Sequence, residues 1–190
     1  MKDWSFTLLH LSTVLLLSTV ILADYCGEHK VPFGMEVHKN GNVNILCSRP
    51  NCHEKKYAEC PERATASSCP SNSSWVGGVT QHADGTLRLM CCEYDLLPVY
   101  STVQYDKLQI RRGEYFEGDE QTDGDAVTAF DLIGDIQQVR EPNGNFSYNL
   151  LIYRYHCGRI PDTPPAWYMK KQWPYWEDQE IAQHKKQTKA

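Results

Sequence analysis

Residues 75–94 read WVGGVTQHADGTLRLMCCEY, and this stretch decides the fold. Asp84-Gly85 sits at its centre. An Asp-Gly pair readily adopts the positive φ angles of a type I′ turn, so Trp75–His82 and Thr86–Tyr94 are predicted as the two arms of a β-hairpin. The second arm has the strand period: Leu87, Leu89 and Cys91 alternate with Arg88, Met90 and Cys92. On a strand the adjacent Cys91 and Cys92 point to opposite faces. They are therefore expected to take different partners and to staple both faces of one strand.

Working outward, the same signal recurs twice. Asn40-Gly41 separates Met35–Lys39 from Asn42–Cys47, and Asn143-Gly144 separates Ile133–Arg140 from Asn145–His156. In the last arm Tyr148, Leu150, Ile152 and Arg154 face one way, and Asn149, Leu151, Tyr153 and Tyr155 the other. Apolar residues on both faces predict a strand covered on both sides for part of its length. Thr102–Ile110 also suits a strand. Lys55–Arg63, between Cys52 and Cys60, suits a short helix, and Asp125–Asp135 reads as either helix or strand. Arg63–Ser74 is rich in Ser, Thr, Ala and Pro and reads as a surface loop pinned at Cys69. Pro161–Pro165 ends the last strand. The expected fold class is mainly β: a single disulfide-rich domain built from hairpins, with a minor helix.

The ends of the chain carry other signals. Lys2 precedes an apolar run from Phe6 to Leu22, closed by the small residue Ala23. That order is a secretory signal peptide, residues 1–23, with Asp24 as the mature N-terminus. The alternative is a membrane anchor, but the run is short and broken by His10, Ser12, Thr13, Ser18 and Thr19. The expected domain then spans residues 24–176. Residues 177–190 form a charged tail with little to bury, predicted disordered. All eight cysteines follow the signal segment: Cys26, Cys47, Cys52, Cys60, Cys69, Cys91, Cys92 and Cys157. An even count in a secreted chain reads as four disulfides, with connectivity open. Zinc is the rival, and the chain has no C-x-x-C knuckle. The formal charge of −5 is spread over both signs, with no basic stripe for nucleic acid.

Catalysis has little support. The chain has no nucleophile elbow, metalloprotease helix motif or phosphate loop. His53 and His156 each neighbour a cysteine, but oxidised sulfurs are inert. No cofactor is expected. Two sequons, at Asn72 and Asn145, are candidate glycosylation sites. Between Arg112 and Arg140 lie Glu114, Glu117, Asp119, Glu120, Asp123, Asp125, Asp131 and Asp135, with no Lys or Arg among them. The stretch reads as a solvated acidic loop. Its alternatives are a calcium site on Asp119, Glu120, Asp123 and Asp125 or a patch for a basic partner. Arg111-Arg112 resembles a dibasic processing site that the preceding strand is expected to shield. An aromatic strap, Trp167, Tyr168, Trp173, Tyr175 and Trp176, is expected to cover a sheet face, or else to bind a partner.

The chain resembles the Wart domain of the warthog proteins, a nematode family of hedgehog-related secreted proteins. The resemblance rests on several segments spread over the mature chain. The first are Tyr25-Cys26-Gly27 with Val31-Pro32-Phe33, the span Cys47–Cys69 with Tyr57-Ala58-Glu59-Cys60-Pro61, and Ser74-Trp75-Val76-Gly77-Gly78. Then come Cys91-Cys92-Glu93-Tyr94-Asp95, Gly113-Glu114-Tyr115-Phe116-Glu117-Gly118, Phe130-Asp131-Leu132-Ile133, and Cys157 with Pro161-Asp162. It implies an extracellular signal, or an apical, cuticle-associated matrix component, with Patched-related membrane proteins as suggested partners. Many relatives carry a C-terminal self-splicing Hog (Hint) module. With the chain ending at Ala190, neither autoprocessing nor lipid attachment is expected here. The resemblance carries no catalytic residues.

Overall fold

The computed structural model describes residues 22–27, 30–49, 52 and 58–157. Ten strands run in chain order: β1 (Leu22–Tyr25), β2 (Val31–Val37), β3 (Val43–Ser48), β4 (Ser74–Gln81), β5 (Leu87–Glu93), β6 (Ser101–Ile110), β7 (Tyr115–Glu117), β8 (Glu120–Asp123), β9 (Ala126–Arg140) and β10 (Phe146–His156). One short helix, α1 (Leu97–Tyr100), leads into β6. The strands form three antiparallel sheets, ordered β1-β4-β5, β3-β2-β7 and β6-β10-β9-β8. The mainly β reading with a minor helix is therefore correct. The helix, however, is not where the sequence placed it. Residues 58–63 are not helical, and Glu59 bridges to Glu93 instead; the rest of the expected helix, residues 55–57, lies outside the described residues.

All three Asn-Gly and Asp-Gly sites turn β-hairpins, but not with the two-residue turn expected. In the first, the Gly41 N–H donates to the His38 carbonyl and the His38 N–H to the Asn42 carbonyl. Gly85 with His82 and Thr86, and Gly144 with Glu141 and Asn145, repeat the pattern. Each is a three-residue loop in which glycine alone supplies the left-handed residue of a bulge, at φ of 92°, 83° and 82°. The residue before each glycine finishes the loop. Asn40, Asp84 and Asn143 each accept the backbone N–H two residues on, at 2.9 Å. That bond is the main reason the Asp84 carboxyl sits below its ordinary value.

Two apolar clusters hold the sheets together, and β9 and β10 lie between them. Tyr148, Leu150 and Ile152 join Met35, Val37, Val79, Leu89, Ile133 and Ile136 in one. Tyr153 and Tyr155 join Trp75, Leu97, Tyr100, Phe130 and Leu132 in the other. The two-faced alternation of β10 thus has its cause: each face has its own core. The segment 125–135, ambiguous in the sequence, is strand from Ala126 onward. Its buried run, residues 129–136, is continuous because both faces are covered, with Phe130 and Leu132 in one cluster and Ile133 and Ile136 in the other; a bulge at Gly134 shifts the pairing with β10 between Leu151 and Ile152.

Four disulfides cross-link the fold: Cys26–Cys47, Cys52–Cys157, Cys60–Cys92 and Cys69–Cys91. The neighbours Cys91 and Cys92 take different partners, so the loop from Ala58 to Ser73 is tied to β5 at two points. A bulge at Gly77 makes room for one of these bonds. A Cβ at Gly77 would overlap Cys92 Sγ. Gly77→Ala is expected to cost about 1–3 kcal/mol of stability through overpacking. Guanidinium unfolding of the oxidised proteins checks this, and an unchanged midpoint would show that β4 can shift away from the disulfide. The expected cleavage after Ala23 would leave Asp24 and Tyr25 as the paired remainder of β1. The signal run 1–21, the aromatic strap and the charged tail lie outside the described residues.

Candidate functional site

The three hairpin loops gather at one end of the molecule. They surround a cleft of about 550 Å³ lined by Asn40–Asn42, Gln81–Gly85, Gly144 and Phe146, with Arg112 and Arg140 at its wall and Val37 and Tyr148 at its base. Local sequence explains why the tips meet. Gln81, at the end of β4, accepts the Val43 N–H at 3.1 Å and donates to the Gly41 carbonyl at 2.9 Å. Gln138 in β9 does the same for the next hairpin, accepting from the Leu87 N–H at 3.1 Å and donating to the Gly85 carbonyl at 2.7 Å. Asp24 adds a third link, taking the Ile45 N–H at 2.8 Å. β3 and β5 are edge strands, so these side chains also occupy backbone donors that would otherwise stand open.

Two arginines shape the cleft wall. The Arg112 guanidinium lies against Gly41, about 3 Å from where a Cβ would stand. Its backbone is held because the Gly113 N–H donates to the Val37 carbonyl at 2.6 Å. Arg140 stacks on Phe146, 5.1 Å from the ring centre. Neither arginine has an ion-pair partner among the described residues. The carboxylate nearest in sequence, Glu141, pairs with Arg111 at 3.3 Å instead. The side chain of Glu114 takes the Arg111 N–H. Burial pushes the Tyr148 phenol up; a Gln138 hydrogen bond and the Arg112 charge oppose it, and the group is neutral at physiological pH.

The acidic stretch is solvated, as read from sequence, at Glu114, Glu117, Asp119, Glu120, Asp123 and Asp125, but not at its last two acids. Asp131 and Asp135 are only 3% and 5% exposed. Arg154 grips Asp131 with two bonds, at 2.8 and 2.9 Å, and approaches Asp119 at 3.8 Å. That contact holds the Arg154 guanidinium above its ordinary value. Asp135 is held by Ser68 Oγ at 2.8 Å and the Cys69 N–H at 2.7 Å, which pins the loop beside its disulfide. The calcium set is not assembled. Asp119 and Glu120 line a small cavity beside Asp131, whereas Asp123 ends β8 and Asp125 sits in the turn that leads to β9. No three such groups among the described residues could hold a metal ion.

The other candidates are scattered. Asn72 is exposed in the turn before β4. Asn145 is half-buried, with its backbone carbonyl and N–H both used in its hairpin. Arg111 and Arg112 are exposed in the tight turn after β6, not shielded by that strand. Trp167, Tyr168, Trp173, Tyr175 and Trp176 lie outside the described residues. The cleft itself escaped sequence reading. Its signal was an Asn-Gly or Asp-Gly turn occurring three times, with Arg140 just before the third; Arg112 is distant in sequence from all of them.

No helix among the described residues is long and apolar enough to cross a membrane. The four disulfides suit an oxidising compartment. The family model of the Warthog N-terminal signalling domain matches residues 23–158, which spans the whole described structure but for Leu22. Among curated proteins, the chain is 85% identical to Warthog protein 5 of Caenorhabditis elegans, over 82% of this chain and 89% of that protein. It is 47% identical to Warthog protein 3 of the same organism, over 87% of this chain and 93% of the relative. Identity to Warthog protein 1 is 24%, over 70% of this chain but 35% of that longer protein. No solved structure matches. With the family's signalling-domain model matched across both apolar clusters and all four disulfides, the chain belongs to the Warthog family.

Proposed function

We propose that this protein is a secreted, hedgehog-related signalling ligand of epidermal and cuticle development that acts by binding, not catalysis. The observation that supports it most is the match to the Warthog N-terminal signalling domain over residues 23–158. The contact end is the hairpin-tip cleft, whose three loops are held in one arrangement by Gln81 and Gln138. Pre-organised loops lose little freedom on binding, which suits recognition. The signal segment is removed after Ala23, Asn72 and Asn145 carry glycans, and the partner is an extracellular protein, a Patched-related receptor or a matrix component.

One feature favours a second reading, a matrix component without a dedicated receptor. Strand β6 lies at a sheet edge, with Val103 57% and Tyr105 45% exposed, and such an edge suits lateral assembly. A single experiment separates the two. Tagged protein is expressed in epidermal cells, and medium and detergent-insoluble cuticle are assayed. A ligand is expected in the medium, with saturable binding to cells. Retention of nearly all the protein in the insoluble fraction, without saturable binding, would overturn the ligand reading.

A further inference from the structure

We infer that the hairpin-tip cleft receives an acidic side chain of a protein partner between Arg112 and Arg140; this deepens, and depends on, the reading of the domain as a binding module. The two guanidiniums reach the cleft from opposite flanks of β10. Arg140 pairs across from Phe146 in β9, while Arg112 follows β6, whose Ile110 pairs with Tyr148. Both are solvent-accessible, both line the same cavity, and neither is neutralised by a described carboxylate. Of the nearby acids, Glu141 pairs with the Arg111 guanidinium and Glu114 accepts the Arg111 backbone N–H, while Asp84 is the carboxylate that lines the cleft.

The two arginines, one against Gly41 and the other stacked on Phe146, present two unneutralised cations to the same cavity. Guanidinium geometry matches a carboxylate through paired N–H donors. The size and charge of the protein favour a compact anion over a polyanionic chain. Arg112 and Arg140 share one cleft of about 550 Å³, and the chain as a whole carries −5. A sulfated polysaccharide would meet that net negative field along its length, whereas one acidic side chain meets only the local pair.

The test is a titration of the isotope-labelled, oxidised secreted protein with a blocked tetraglutamate peptide, followed at the Gly41, Gly85 and Gly144 amides. Saturable shifts at these three amides are expected, with a millimolar dissociation constant. In Arg112→Gln/Arg140→Gln the affinity is expected to fall at least about tenfold while the rest of the spectrum is unchanged. Three results would each overturn the inference: no saturable shift, shifts centred elsewhere, or an unaffected double variant. A heparin-derived oligosaccharide that binds the cleft more tightly than the peptide would also do so, in favour of a glycan. Wild-type cell binding is scored separately. If it persists while the peptide fails, only the ligand chemistry is wrong; if it is absent while the peptide binds, the signalling reading is wrong.

Discussion

Arg154→Met is expected to destabilise the protein by about 3–5 kcal/mol. Asp131 is 3% exposed and receives two of its hydrogen bonds from that guanidinium. Removing the cation leaves a buried carboxylate with the Asp119 N–H, at 3.2 Å, as its remaining donor. The cost is therefore mostly the stranded charge and not the lost attraction. The double variant Asp131→Asn/Arg154→Met is expected to recover most of the loss, because it removes the charge along with its partner. Urea unfolding of the oxidised wild type, both single variants and the double variant measures this cycle. A loss below about 1 kcal/mol for Arg154→Met would show that water reaches Asp131 in solution.

The second large effect concerns the longest cross-link. Cys52→Ala/Cys157→Ala opens a loop with a sequence separation of 105 residues, against 21 for Cys26→Ala/Cys47→Ala. A disulfide acts largely by restricting the unfolded chain, so the longer loop gives the larger loss. The Cys60–Cys92 bond lies inside the long loop and shortens it. With that correction, losses of about 4 and about 3 kcal/mol are expected for the two variants. Parallel denaturant titrations compare them. Equal losses would mean that the bonds stabilise through native contacts instead of through the unfolded chain.

The sequence carried the hairpins because a turn is a local event. Asn40-Gly41, Asp84-Gly85 and Asn143-Gly144 each mark one. The same dipeptides serve both a two-residue turn and a three-residue loop with a bulge, so the loop length was not legible. The two faces of β10 were readable from strict alternation. In β9 the alternation is interrupted by the Gly134 bulge, which blurred the period. Asp131 and Asp135 were missed because they were counted with their acidic neighbours. Their signal lay in their company, since they sit among Phe130, Leu132, Ile133 and Ile136. Acids inside an apolar run have partners, and here these come from Arg154, Ser68 and Cys69. The cleft was illegible for a different reason. Gln81 and Gln138 reach across sheets, and nothing in their own segments distinguishes them from ordinary surface glutamines.

The order of the cross-links also governs how the protein responds to tension. A pull applied at Cys26 and Cys157 passes through the Cys26–Cys47 bond, along the chain to Cys52, and out through Cys52–Cys157. Strands β4 to β10 lie off that covalent path and bear no load. The extensible chain between those two points is the five-residue step from Cys47 to Cys52, roughly 17 Å when drawn straight. Under tension the domain would behave as an almost inextensible link, keeping its hairpin tips and their cleft assembled under load.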